Sequence, residues 1–157
     1  MPVGAYAASR EIMENVAPMG PVYQAGTLSA NPVAMAAGFA TLTELLKPGF
    51  YDALDAKTAR FTGQLQAFCD QKGYDVTFPR AGSIFWPTFT RKHIHRSDEI
   101  EGSGMEFFKK MHLECLKRGV YFGPSGYEVG FVSSAHTEAD LDFAAGMICE
   151  SLEAVFG

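Results

Sequence analysis

The sequence predicts an α/β fold in which a small, mainly antiparallel sheet carries helices packed on one face. Two observations lead there. From residue 50 onward, helical and extended patterns follow in the order α-β-β-α-β-β-α, which suits such a sheet. The chain is also ordinary globular material: 157 residues, 47% hydrophobic and 20% charged, with no internal repeat and no low-complexity segment. A chain of this length buries about 70% of its unfolded surface as one compact domain.

The elements follow in chain order. Residues 1–25 mix Gly, Pro and small residues, with one helix-like piece from Ser9 to Val16 that presents Ile12, Met13 and Val16 on one side. Asn31 is a good N-cap, and Pro32 suits the first helical position, where a missing N–H costs nothing. Met35, Phe39, Leu42 and Leu46 recur at helical spacing before Lys47-Pro48-Gly49 ends the helix. A second helix runs from about Phe50 to Lys72, with Leu54, Thr58, Phe61, Leu65 and Phe68 as its stripe and Gly73 as a left-handed stop.

Tyr74–Phe78 and Ser83–Phe89 are rich in aromatic and β-branched residues and predict strands, with Pro87 confining the second to an edge or bulge. Residues 90–103 are polar and predict a loop. A third helix follows from about Gly104 to Arg118, with Phe108, Met111, His112 and Cys115 along one side and Gly119 closing it. Val120–Phe122 and Val129–Ser134 predict short strands joined through the turn-rich "GPSGYE". Thr137 with Asp140 three residues on resembles a capping box for a last helix that ends near Phe156.

Charge and composition exclude several classes of function. A net charge of −5 argues against a nucleic-acid binder, which needs a basic face. No apolar run is long enough to span a bilayer, and the amino terminus has no secretory pattern, so a cytoplasmic location is expected. Cys69, Cys115 and Cys149 are widely spaced on helix-like patterns and predict buried thiols in a reducing compartment. His93 and His95 sit among basic residues in the loop, with no carboxylate or cysteine cluster beside them in sequence, so no metal site is expected. His136 in "SSAHTE" caps or contacts the final helix; a Ser–His hydrolase needs more than that pairing. Trp86, with Phe85 and Phe89, reads as core rather than a ligand platform.

The stretch "GPVYQAGTLSANPVAMAAG", residues 20–38, carries the most chemistry. Gly26 lets a backbone approach a ligand, Thr27 and Ser29 add hydroxyls, and a helix start follows at once. Backbone N–H groups and hydroxyls at a helix start suit phosphate. The same residue types also precede helices simply because they cap them, and composition alone leaves both readings open.

That stretch resembles the class-III, pyridoxal-phosphate-dependent aminotransferases of fold type I, and within them the intramolecular aminomutase branch. "MPVGAYAASREIM", "GSIFWPTF" and "RGVYFGPSGYEVGFVSSAHTEADL" resemble the family in the same order, so the likeness covers essentially the whole chain. It implies that residues 1–45 are a remnant of a large cofactor-binding domain with its long connecting helix, and that residues 46–157 are the carboxy-terminal small domain. It implies pyridoxal 5'-phosphate as the cofactor of the intact enzyme, with Gly26 and Thr27 binding its phosphate across a homodimer interface. Tyr23 is implied as an aromatic hydroxyl near the cofactor and Glu128 as a carboxylate near the substrate. Taken alone, Tyr23 is equally an interface-packing residue and Glu128 a solvated turn residue. The family usually has Gly where this chain has Ala30, and "PSQFE" where this chain has "PSGYE".

The resemblance also sets an expectation of absence. The family's Schiff-base lysine lies just before the motif that "PVGAY" continues, so its position falls upstream of Met1. None of Lys47, Lys57, Lys72, Lys92, Lys109, Lys110 and Lys117 has that context. No catalytic residue is therefore assigned, no cofactor is expected on this chain alone, and the isolated chain is expected to be inactive. Two alternatives stay open: part of another class-III aminotransferase acting on an ω-amino acid or amine, or a noncatalytic module that keeps a dimer surface and a partial phosphate cradle.

Overall fold

A computed structural model describes residues 1–157 and divides them into two compact units, Met1–Phe50 and Tyr51–Gly157. In the first unit, the Ser9–Val16 piece forms only one turn, α1 (Arg10–Met13), with no buried residue. Behind it the chain folds back: the Val22 amide donates to the Asn15 carbonyl and the Ala17 amide to the Val22 carbonyl, both at 2.9 Å. Gly20 makes this reversal possible, since a Cβ there would lie 2.4 Å from the Asn15 carbonyl. Helix α2 (Pro32–Leu45) starts at its expected cap, with Asn31 Oδ1 accepting from the Val33 and Ala34 amides. Its apolar residues find almost no cover. Ala34 is the one buried side chain of the helix, while Phe39 is 76% and Leu42 59% exposed.

The second unit holds the core. Helix α3 (Phe50–Lys72) buries Thr58, Phe61, Thr62, Leu65 and Cys69 along one stripe and ends at Gly73, whose φ of +71° favours glycine. The two buried threonine hydroxyls donate back to Leu54 and Thr58 carbonyls at 2.8 and 3.0 Å, which satisfies them inside the core. Next come β1 (Arg80–Ala81) and β2 (Ile84–Phe85), an antiparallel pair with Arg80 opposite Phe85. Residues 97–99 form a 3-10 turn inside the expected loop. Helix α4 (Ser103–Lys117) buries Phe108, Met111 and Cys115, and its chain reverses at Gly119 with φ +82°. Strand β3 (Gly130–Phe131) pairs antiparallel with β2, giving the sheet order β1-β2-β3. Helix α5 (Glu138–Phe156) closes the fold behind a complete Thr137–Asp140 capping box.

This is the expected α/β class with a small antiparallel sheet, but its strands are shorter than the sequence suggests. Tyr74–Phe78 contributes a single bridge, Thr77 to Thr88, and Val120–Phe122 forms no strand. Pro79 interrupts the ladder between that bridge and the β1–β2 pair: its carbonyl accepts from the Trp86 amide at 3.0 Å, but it has no N–H to return the bond.

Phe61, Leu65, Phe85, Met111, Phe122, Leu141, Ile148 and Leu152 meet in one hydrophobic cluster, with Phe85 edge-on to Phe61 at 5.4 Å. Cys69 and Cys115 lie in it as free thiols, and burial pushes Cys69 up to about 11. Polar ties join α3 to α5 at its edge. Arg60 pairs with Asp142 at 2.6 Å and also with Glu138, and the Lys57 ammonium donates to the His136 carbonyl at 2.7 Å. No helix is long and apolar enough to cross a membrane.

Candidate functional site

The first unit sets Tyr23, Gly26 and Thr27 on the connection that enters α2. Residues 26–31 form two successive turns, closed by Ser29 N–H to the Gly26 carbonyl at 2.9 Å and Asn31 N–H to the Leu28 carbonyl at 3.1 Å. Gly26 is a close-approach position: a Cβ there would lie 2.7 Å from Ser29 Oγ, so the hydroxyl rests over the glycine. The amides of Gly26, Thr27, Leu28 and Ala30 donate to no group of the protein. With the hydroxyls of Thr27 and Ser29 they form an exposed set of unpaired donors, a fit for an anion such as phosphate.

The donors differ from those expected at the helix start. Asn31 already takes the Val33 and Ala34 amides, so the open N–H groups belong to the turns before α2. Ala30 has φ +56°, the left-handed region where a Cβ is strained. Glycine would fit there. Tyr23 is exposed, and its ring stands clear of neighbouring rings.

The second unit carries Glu128 on the 123–128 loop. Its amide donates to the Ser125 carbonyl at 3.0 Å, and its side chain lies against Gly123, where a Cβ would fall 1.8 Å from Oε2. The loop is held from the sheet side: the Trp86 indole Nε1–H donates to the Gly126 carbonyl at 2.8 Å. Gly126 in turn sits close to Met105 and Phe108, leaving no room for a Cβ. Trp86 is half-buried and lies outside the hydrophobic cluster, so it braces this loop and is not the core residue its neighbours suggest. The rule that a buried indole N–H seeks an acceptor was the available signal, but the acceptor lies 40 residues away.

Each lysine is engaged in a way that opposes the chemistry of a covalent amine. Lys47, Lys109 and Lys117 pair with Glu44, Glu106 and Glu114 at 2.5, 2.6 and 2.5 Å. Lys72 and Lys92 pair with Glu153 and Glu101, and those carboxylates hold both ammonium groups above their ordinary range. Lys110 lies over the Phe107 ring at 5.9 Å, and Lys57 is bound to the carbonyls before α5. A nucleophilic lysine needs an apolar pocket around its amine, and none of these seven is buried.

His136 belongs to the turn that enters α5. Its Nδ1 accepts from the Ser133 amide at 3.1 Å and its carbonyl from Lys57, so its partners are backbone and cation rather than a serine hydroxyl. His93 and His95 stack at 5.7 Å on the exposed loop.

With this geometry in view, comparison with known proteins is specific. The class-III aminotransferase family profile matches residues 1–153. Glutamate-1-semialdehyde 2,1-aminomutase of Desulforapulum autotrophicum is 49% identical over 90% of this chain, and the Akkermansia muciniphila protein of that name is 46% identical over 90%. The match covers 33% of each, so the chain spans about a third of the length of these curated relatives. The solved structure of an omega-transaminase from Sphaerobacter thermophilus superposes with a TM-score of 0.81 over 95% of this chain and 34% of its own, at 21% identity, a likeness of fold. The chain belongs to the class-III aminotransferase family.

Proposed function

We propose that this chain is part of a pyridoxal-phosphate-dependent glutamate-1-semialdehyde 2,1-aminomutase, the isomerase that moves an amino group within one five-carbon substrate to give 5-aminolevulinate for tetrapyrrole synthesis. The observation that carries this reading is the identity of 49% and 46% to proteins of that name over nine-tenths of the chain. The transaminase likeness, at 21%, speaks to fold alone. In this reading residues 1–45 belong to the large domain and its connecting helix, and residues 46–157 form the small domain.

The cofactor supplies the electron sink and the carrier for the amino group when bound. The chain's own residues bind and orient. The unpaired amides around Gly26 and Thr27, with the Thr27 hydroxyl, hold the phosphate in the site of a second subunit of a homodimer. Tyr23 offers its phenol beside the cofactor. Glu128, fixed over Gly123, presents a carboxylate toward the small-molecule substrate. The amine that carries the cofactor comes from the rest of the enzyme, since all seven lysines here are committed elsewhere.

The test is intact mass and visible absorbance of the purified chain with pyridoxal phosphate, before and after borohydride reduction, alongside an assay of 5-aminolevulinate formation. Expected are no defined absorbance band, no stoichiometric adduct and no turnover. A single adduct on one lysine would overturn the account of the committed lysines. A chain that joins the remaining two thirds of the Desulforapulum relative yet restores only intermolecular transamination would replace the aminomutase by another aminotransferase.

A further inference from the structure

Glu128 stands on a loop with very few ties. Within residues 123–128 the one backbone bond runs from the Glu128 amide to the Ser125 carbonyl, and the Tyr127 amide reaches the Ser125 hydroxyl at 3.3 Å. A single hydrogen bond joins the loop to the rest of the molecule, from the Trp86 indole to the Gly126 carbonyl. Gly126 is buried although it sits in a loop, and no backbone amide donates to its carbonyl. A buried carbonyl left without a donor is costly, so this bond fixes the middle of the loop.

The base of the brace is rigid. Trp86 follows β2 directly, and its amide donates to the Pro79 carbonyl at 3.0 Å. Two residues on, Thr88 exchanges both backbone bonds with Thr77, at 2.8 and 2.9 Å. On its other side the loop meets α4: a Cβ at Gly126 would lie 2.5 Å from Met105 Sδ and 3.1 Å from Phe108 Cγ. The glutamine of the family's "PSQFE" would take this seat only if both side chains moved. Glu128 itself is exposed, and its carboxylate makes no hydrogen bond or ion pair, so the loop alone places it.

We infer that Trp86 is a positioning residue for the reaction: it pins the 123–128 loop at Gly126 and so sets the Glu128 carboxylate for the substrate. The inference rests on the proposed role of Glu128 in an aminomutase. An unpaired carboxylate on an unpinned loop samples several positions, and a misplacement of about 1 Å costs up to roughly 100-fold in rate.

The experiment has two arms. In the first, hydrogen exchange of the Glu128 amide is followed in this chain alone, with Trp86 replaced by its benzothiophene isostere, which keeps the shape and lacks the N–H. Trp86 is the one tryptophan of the chain, so the replacement touches a single site. Expected is exchange at Glu128 at least fivefold faster, with the Leu65 amide in the core unchanged. Equal exchange at Glu128 would overturn the inference. In the second arm this chain is joined to the remaining two thirds of the Desulforapulum relative, and 5-aminolevulinate formation is measured for Trp86→Phe, Glu128→Gln and the pair. Expected is a loss of kcat/KM of at least tenfold for Trp86→Phe alone, and of less than twofold when it is added to Glu128→Gln. A fall of the same size in both backgrounds would make Trp86 merely structural and would overturn the inference. Gly126→Ala displaces the loop without touching Trp86 and should show the same dependence on Glu128; it decides the cycle if Trp86→Phe does not fold. No 5-aminolevulinate from the unaltered joined chain, with exchange as expected, would sink the aminomutase and keep the brace. Turnover with equal losses would do the reverse.

Discussion

The two units use helices in opposite ways. Helix α2 has strong local start signals, an asparagine cap with two bonds and proline at the first position, yet it buries one alanine. Helix α3 follows Gly49, which has no side chain to cap with, and buries five residues along one stripe. Capping and propensity decide where a helix begins, whereas burial against other elements supplies most of its stability. The first unit is locally well specified but has almost no core of its own. The second is a core.

The sharpest way to break this contrast is to cut the same kind of side chain in each unit. Leu65 is fully buried in the shared cluster. Leu65→Ala is expected to cost about 3 kcal/mol, by lost transfer energy and the cavity left behind. Phe39→Ala in α2 removes a larger side chain that is 76% exposed and is expected to stay within about 0.5 kcal/mol. Urea unfolding followed by far-ultraviolet circular dichroism compares the two. Equal losses would mean that the first unit packs in solution in a way its exposure does not suggest.

That difference also marks where sequence reading stops. The bounds of α3, the Thr137–Asp140 box and the stops at Gly73 and Gly119 were all legible, because each depends on residues within a turn or two. The strands were not. Whether Val120–Phe122 joins a ladder depends on a partner that short-range pattern cannot reveal. At the candidate site, Gly26 and Thr27 stood out by residue type, and their role came from resemblance. The consumption of the Val33 and Ala34 amides by Asn31, and the bond from Trp86 to Gly126, needed three dimensions.

A smaller effect sharpens the role of caps inside the core-bearing unit. The Thr137 hydroxyl and amide both bond the Asp140 carboxylate, and these bonds hold it below the ordinary aspartate range. A folded pKa below the unfolded one gives stability that is present above about pH 4 and lost as pH falls through the folded value. Thr137→Ala is expected to cost about 1 kcal/mol at pH 6. Asp140→Asn removes the titrating partner, so its stability deficit should be open at pH 6 and narrow on acidification toward pH 3. Urea midpoints across that range are the readout. A deficit independent of pH would mean that the box acts through geometry and not through the charge of Asp140.

The smallest effect returns to the first unit and to its chemistry. Ala30 holds φ +56° between the turn at 26–29 and the cap at Asn31, at a position where the resembled family carries glycine. A left-handed alanine is strained by about 1 kcal/mol, partly offset in a glycine variant by its greater freedom when unfolded. Ala30→Gly should therefore leave the urea midpoint of the whole chain, set by the second unit, unchanged. It should instead populate the 26–31 turns more fully, seen as slower exchange of the Ser29 and Asn31 amides. If those turns form the phosphate cradle, the same substitution should tighten binding of inorganic phosphate, read as chemical-shift titration of the Thr27 and Leu28 amides. Slower exchange without tighter binding would separate the turn from the cradle and leave Gly26 and Thr27 as capping scaffold; tighter binding would tie the strain at Ala30 to the affinity of the site.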